Sequence, residues 1–396
     1  MNPDLAQLQP YPFQRLRTLF HDITPHADFT PINLSIGEPK HATPAIIREA
    51  LIQHLDGLAA YPATQGMDSL RTGIACWLEK RYQLPHINPQ TQVLPVNGSR
   101  EALFAFAQTI IDRAKHPVII SPNPFYQIYE GAALLAGATP YYLNTLPNNG
   151  FRMDFGAVPP DVLQRTQLVY VCSPGNPTGR VMTLEDWREL FALSDRYGFV
   201  IAADECYSEI YFDEAHPPLG ALQASQQLGR QDFINLVVFS SLSKRSNVPG
   251  MRSGFVAGDA QILEKFLLYR TYHGCAMSPA VQMASLAAWQ DEAHVIENRR
   301  LYRLKFAAFK AELAGTLELD MPDAAFYYWV KTPMAGTEFA RAVHRDYNVT
   351  VLPGSFLARE ARGVNPGASF VRIALVASES QCLEAAQRIK SFIQTL

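Results

Sequence analysis

At 396 residues the chain exceeds what one hydrophobic core ordinarily fills, and a 48% hydrophobic content is enough to build two domains. A formal net charge of -3, an 18% charged fraction and the lack of any lysine or arginine run exclude a polyanion-binding surface, so no nucleic-acid partner is expected. The Met1–Gln7 opening has no basic stretch followed by an apolar one and no apolar run is long enough to span a bilayer, so neither a signal peptide nor a membrane partner is expected.

The first 45 residues are proline-rich without a clear period. From about residue 93 to 258 apolar runs alternate with helical patterns: Pro117–Ser121, Leu168–Cys172, Phe199–Ala203, Leu236–Phe239 and Gly254–Ala257. Continuous apolar runs suit strands buried on both faces, which predicts an α/β domain with a mostly parallel sheet covered by helices. Between them Leu103, Phe106, Ala107, Ile110 and Ile111 repeat at the spacing of an amphipathic helix. From Ser278 to Leu313 the pattern predicts one long, nearly uninterrupted helix, leading into shorter elements punctuated by Pro322, Pro333, Pro353 and Pro366. The expected division is a large domain over 46–284 and a smaller α+β domain from 285–396 together with 1–45.

Absent motifs prune the chemistry. No two glycines are separated by a single residue, which removes the G-x-G-x-x-G dinucleotide loop; there is no G-x-x-x-x-G-K-[ST] and no H-E-x-x-H. Cys76, Cys172, Cys206, Cys275 and Cys382 are widely spaced, with no C-x-x-C pair, so reduced thiols, a cytoplasmic location and no metal site are expected.

Five segments carry reactive groups. In Asn97–Glu101 the amides of Ser99 and Arg100 would open the amphipathic helix, where a phosphate binds; an ordinary N-cap by Asn97 or Ser99 accounts for the same residues. Cys172–Gly179 closes a strand with a rigid turn that leaves Asn176 free to face a ligand, or to be a turn residue only. Asp204 ends another buried run, with Tyr207 three residues on, and a carboxylate there wants a cationic or hydrogen-bonding partner. Lys244 follows the Leu236–Phe239 run among small hydroxyl residues including Ser241, with Arg252 eight positions later. A lysine amine can hold an aldehyde cofactor covalently while hydroxyls and a guanidinium take its phosphate; a solvated basic turn is the plain alternative. Arg372, inside the apolar run Phe370–Leu375, would grip a ligand carboxylate or pair with an internal one.

Together these segments resemble the class I/II aminotransferases in order and approximate spacing, over nearly the full chain. The resemblance implies a fold-type I enzyme that uses pyridoxal 5'-phosphate. Lys244 would hold the cofactor and move the substrate proton, Asp204 would keep the ring nitrogen protonated, and Asn176 and Tyr207 would bond the ring oxygen. Ser99, Arg100, Ser241 and Arg252 would hold the phosphate. Tyr126 matches the aromatic that stacks on the ring, and Tyr61 matches a tyrosine that reaches the phosphate of the partner subunit, so a homodimer is implied. Gly37 and Arg372 match the positions that hold the substrate α-carboxylate.

Leu34–His41, which departs from a common Gly-Glu-Pro-Asp pattern at Lys40, resembles the bacterial N-succinyldiaminopimelate aminotransferases of lysine and cell-wall precursor synthesis, as do Val351–Glu360 and Gly363–Gly367. The implied reaction exchanges an amino group between glutamate and N-succinyl-2-amino-6-oxopimelate, small amino and keto acids. Lys40 is the expected contact to a distal carboxylate, or a solvated loop lysine. An aspartate or aromatic aminotransferase and a carbon–sulfur lyase share the same residues. A non-catalytic cofactor-sensing regulator would need a DNA-binding extension ahead of Gly37 and Tyr61.

Overall fold

In the computed structural model, which describes residues 1–396, the five apolar runs all become strands of one sheet. In chain order the strands are β1 (Ile32–Asn33), β2 (Val93–Val96), β3 (Val118–Asn123), β4 (Thr139–Asn144), β5 (Thr166–Cys172), β6 (Val200–Asp204), β7 (Leu236–Ser241), β8 (Gly254–Gly258), β9 (Tyr327–Lys331), β10 (Val349–Thr350), β11 (Leu352–Pro353) and β12 (Phe370–Ala374). The large sheet runs β2-β8-β7-β6-β5-β3-β4, with β3 to β7 parallel and β8 antiparallel to both its neighbours. Successive residues serve opposite faces: Val169, Ile201 and Val238 enter one core while Leu168, Ala202 and Val237 enter the other. A sheet packed on both sides needs apolar residues at every position, hence the continuous runs.

Strand β4 was not anticipated. It lies at the sheet edge and is only half-buried, so its sequence carries polar residues and tolerates Pro140. The amphipathic helix forms over Ser99–Ile110, with Phe106 edge-on to Phe239 at 5.3 Å between ring centroids. Its cap differs from expectation: Gly98 at φ 88° holds the N-cap position without a side-chain bond, and Glu101 instead accepts from the Asn97 amide at 3.0 Å.

The single long helix expected after Ser278 is two, Pro279–Gln290 and Ala293–Leu313. At the break Asp291 accepts from the His294 amide at 3.0 Å, while Glu292 accepts from the Trp77 indole at 2.9 Å and pairs with the buried Arg245. Apolar periodicity does not register such distant polar partners.

The smaller sheet is antiparallel, β11-β12-β9, beside a parallel β1–β10 pair. The N-terminal segment is stitched to this half: the Ala374 amide donates to Leu34 O at 2.8 Å, Asn348 Nδ2 to Phe29 O at 2.7 Å, and Arg341 pairs with Asp22 at 2.8 Å. Residues 36–38 are thereby carried to the carboxyl ends of the large sheet, where open α/β sheets bind ligands. No helix is long and apolar enough to cross a membrane, and all five cysteines are unpaired thiols.

Candidate active site

The carboxyl ends of the parallel strands, the N-terminal segment and β12 enclose a cleft of about 520 Å³. Its one buried carboxylate is Asp204, the last residue of β6. Tyr129 donates to Asp204 Oδ2 at 2.7 Å and the Cys206 amide to Oδ1 at 3.2 Å. Burial pushes the Asp204 carboxyl up, while these donors and the Lys244 charge oppose the shift. No cation of the chain pairs with it directly, so a cationic ligand atom at the cleft wall would complete its shell.

Lys244 stands on the short helix Leu242–Arg245 that follows β7. Ser241 starts this turn by accepting from the Ser243 amide at 3.1 Å and donating to Ser253 O at 3.0 Å. Behind it, Arg245 donates to Ala288 O at 2.7 Å and Asn298 Nδ2 to Lys244 O at 3.3 Å, so the backbone under the lysine is fixed from the helix side. The Lys244 amine turns into the cleft and donates to Gly37 O. Burial pushes its ammonium down to about 8, with Arg372 and Arg100 acting the same way and Cys206 and Glu38 opposing. A lysine tuned so far toward neutrality is a nucleophile near physiological pH.

Ser99, Ser241, Ser243, Arg100 and Arg252 line the same cleft. Ser99 opens the Ser99–Ile110 helix, whose amides point at an incoming anion. Gly98 admits Arg252 to this corner: a Cβ there would lie 2.2 Å from Arg252 Nη2. The only bond from the Arg252 guanidinium goes to a backbone carbonyl, Pro249 O at 2.8 Å, which leaves its charge for a ligand. Arg100 Nε donates to the Tyr126 hydroxyl at 2.6 Å, and both border the cleft. Hydroxyls, a helix N-terminus and unpaired guanidiniums make an anion cradle.

Across the cleft, Arg372 donates to Asn176 Oδ1 at 2.9 Å and to Ser35 O at 2.8 Å, and its guanidinium stacks 4.4 Å over the Tyr327 ring. Neither bond goes to a carboxylate and Nε has no partner, so the internal ion pair left open by the sequence does not form. Asn176 spends its oxygen on Arg372, which leaves its amide hydrogens for a ligand. Tyr207 and Tyr327 hydroxyls share a bond of 2.8 Å beside them. Gly37 has no room for a side chain, since its Cβ would meet the Tyr327 hydroxyl at 2.0 Å.

The structure therefore brings together Gly37, Ser99, Arg100, Tyr126, Asn176, Asp204, Tyr207, Ser241, Lys244, Arg252 and Arg372. Two others lie outside. Tyr61 is fully exposed on this chain. Lys40 does not line the cleft but sits exposed in a 2.7 Å ion pair with Glu38, which does line it. Sequence reasoning missed Tyr11, Phe13, Cys206, Tyr129, Tyr327 and Leu357. An aromatic run ahead of the Arg372 strand marked Tyr327 weakly; Tyr11 and Phe13 reach the cleft only through contacts far along the chain.

With this geometry in hand, the family model described as aminotransferase class I and II matches residues 30–389. An LL-diaminopimelate aminotransferase of Aquifex aeolicus is 30% identical, covering 91% of this chain and 91% of its own. The crystal structure of an aminotransferase from Neisseria meningitidis is 51% identical, with a TM-score of 0.96 and 99% of each chain covered. Aminotransferase AspB of Helicobacter pylori is 35% identical with a TM-score of 0.90, over 98% of this chain and 100% of its own.

Proposed function

The chain belongs to the class I and II aminotransferases, and from that membership we propose that it exchanges an amino group between glutamate and N-succinyl-2-amino-6-oxopimelate, with N-succinyl-LL-2,6-diaminopimelate as the product, in the cytoplasm and as a homodimer. Pyridoxal phosphate, the cofactor of this family, supplies when bound the aldehyde that receives the amino group and a ring that draws electrons from the substrate Cα.

The residues act as follows. Asp204 would hold the ring nitrogen, and Asn176 and Tyr207 would donate to the ring oxygen. Tyr126 would hold the ring face. Ser99, Arg100, Ser241, Arg252 and the partner subunit's Tyr61 would take the phosphate. Arg372, held by Asn176 and Ser35, grips the substrate α-carboxylate beside Gly37, which orients the Cα–H toward Lys244. Lys244 Nζ takes that proton and holds it for redelivery, a task its lowered pKa suits.

The observation that carries this reading is Arg372, a buried guanidinium with no carboxylate of its own, in the same cleft as the Lys244 amine. For the substrate, support comes from the Leu34–His41 and Val351–Gly367 strings and from the relatives named for LL-diaminopimelate, which has the same carbon skeleton without the succinyl group. Those relatives also favour a second reading, transamination of LL-diaminopimelate itself. One half-reaction separates the two: cofactor-loaded protein is mixed with either compound in the absence of a keto acid and the visible spectrum followed. Conversion of the cofactor band by the succinylated compound at lower concentration supports the first reading. Preference for LL-diaminopimelate establishes the second, and a response to aspartate or an aromatic amino acid alone overturns both.

A further inference from the structure

A further cation stands on the helix whose first residues line the mouth of the cleft. The helix Pro12–Leu19 starts there, and Tyr11, Pro12 and Phe13 line the opening together with Leu357. One turn further, Arg15 is half-buried with its guanidinium 4.2 Å over the Phe356 ring, next in sequence to Leu357. Stacking holds the planar fork in place and leaves its edge N–H groups pointing away from the ring.

No carboxylate answers this charge. The acidic group that acts on it, Glu130, is already held by Arg359 at 2.8 and 2.6 Å and by the Tyr142 hydroxyl at 2.5 Å. One carboxylate thus faces two guanidiniums, and a net positive charge remains one helical turn from the residues that line the opening. Burial first and repulsion from Arg359 second push the Arg15 pKa down against the pull of Glu130, so its charge is incompletely compensated within the chain. Lys40, by contrast, is exposed and already has a carboxylate partner in Glu38.

We propose that Arg15, stacked on Phe356 and backed by the Arg359–Glu130 pair, binds a distal carboxylate of the substrate and selects long polycarboxylate amino acids over glutamate. This rests on the proposed substrate class and names the group that recognises it.

The test compares half-saturation concentrations in the half-reaction of the cofactor-loaded protein with N-succinyl-LL-diaminopimelate and with glutamate, for the parent, Arg15→Met and Arg15→Lys. The expected result is a rise of about tenfold or more for the long substrate in Arg15→Met, about twofold at most for glutamate, and partial recovery in Arg15→Lys. The unchanged glutamate reaction reports that the site is still folded. Equal shifts for both substrates, or none for either, overturn the assignment. If the parent refuses the succinylated compound but accepts LL-diaminopimelate, the proposed function fails while Arg15 is judged on the latter, which keeps a distal carboxylate. A parent that accepts glutamate and neither long substrate overturns Arg15 and the substrate class together.

Discussion

The Tyr129 hydroxyl donates a 2.7 Å hydrogen bond to Asp204 Oδ2, so the buried carboxylate at the end of β6 is oriented from the helix that follows β3. The Tyr129 ring is itself stacked on Tyr170, with centroids 4.7 Å apart, and Tyr129→Phe should keep that packing while removing the donor. A donor favours the ionised form, so its loss raises the Asp204 pKa further. The expected outcome is a fall in kcat of about tenfold and an acid limb of the kcat/KM profile moved to higher pH. Steady-state rates across the acid range check both, and a profile unchanged in height and position would remove Tyr129 from the account.

Gly98 is a second point where backbone geometry serves the site. It sits at φ 88°, and a Cβ would press on the Arg252 guanidinium. Gly98→Ala is expected to displace Arg252 and to strain the turn by about 1–2 kcal/mol. Cofactor titration by fluorescence quenching should give a dissociation constant raised about tenfold, with the melting temperature of the cofactor-free protein lowered by a few degrees. If affinity holds while stability falls, Gly98 serves the turn and not the anion cradle.

The strand–helix alternation was legible because burial on two faces writes itself into local sequence: Leu168–Cys172 and Phe199–Ala203 admit few polar residues. The reactive side chains were legible for a related reason, since Asp204, Ser241 and Lys244 sit where buried runs end and a polar residue is conspicuous. What was not legible depends on contacts across the chain. The break at Asp291–Glu292 reflects Arg245 and Trp77, the pairing of Lys40 with Glu38 joins two neighbours whose meeting no periodicity records, and Arg15 is notable only because Arg359 already occupies Glu130.

Lys244 allows a test by titration. In the cofactor-free protein its ammonium is pushed down to about 8, chiefly by burial and also by Arg372. Between about 8 and the unfolded value of 10.5 the unfolded chain binds more protons than the folded one. The penalty of burying Lys244 is therefore in full force below pH 8 and fades as the pH rises through that window, where stability increases. Trace acetylation followed peptide by peptide should give Lys244 a midpoint near 8. Arg372→Met removes a repelling cation and should move that midpoint upward. A midpoint that stays at the exposed-lysine value in the parent contradicts the burial argument; one unmoved by Arg372→Met separates the two residues electrostatically.

Tyr61 is fully exposed on a stretch that also exposes Ile52, Leu55, Leu58 and Met67, a concentration of large apolar side chains on one short segment. Burial of such a patch against a second copy would remove it from water, and the proposed role of Tyr61 requires that its hydroxyl then meet the partner's anion cradle. Tyr61→Phe removes one donor and leaves the apolar ring, so the assembly measured by sedimentation should persist while cofactor affinity drops several-fold. Leu58→Glu places a charge in the patch and should shift the protein toward monomer, with cofactor affinity then falling as the protein is diluted. Unchanged cofactor affinity in a Tyr61→Phe protein that remains dimeric would assign the patch to packing alone, and a parent that sediments as a monomer at micromolar concentration would remove the shared site.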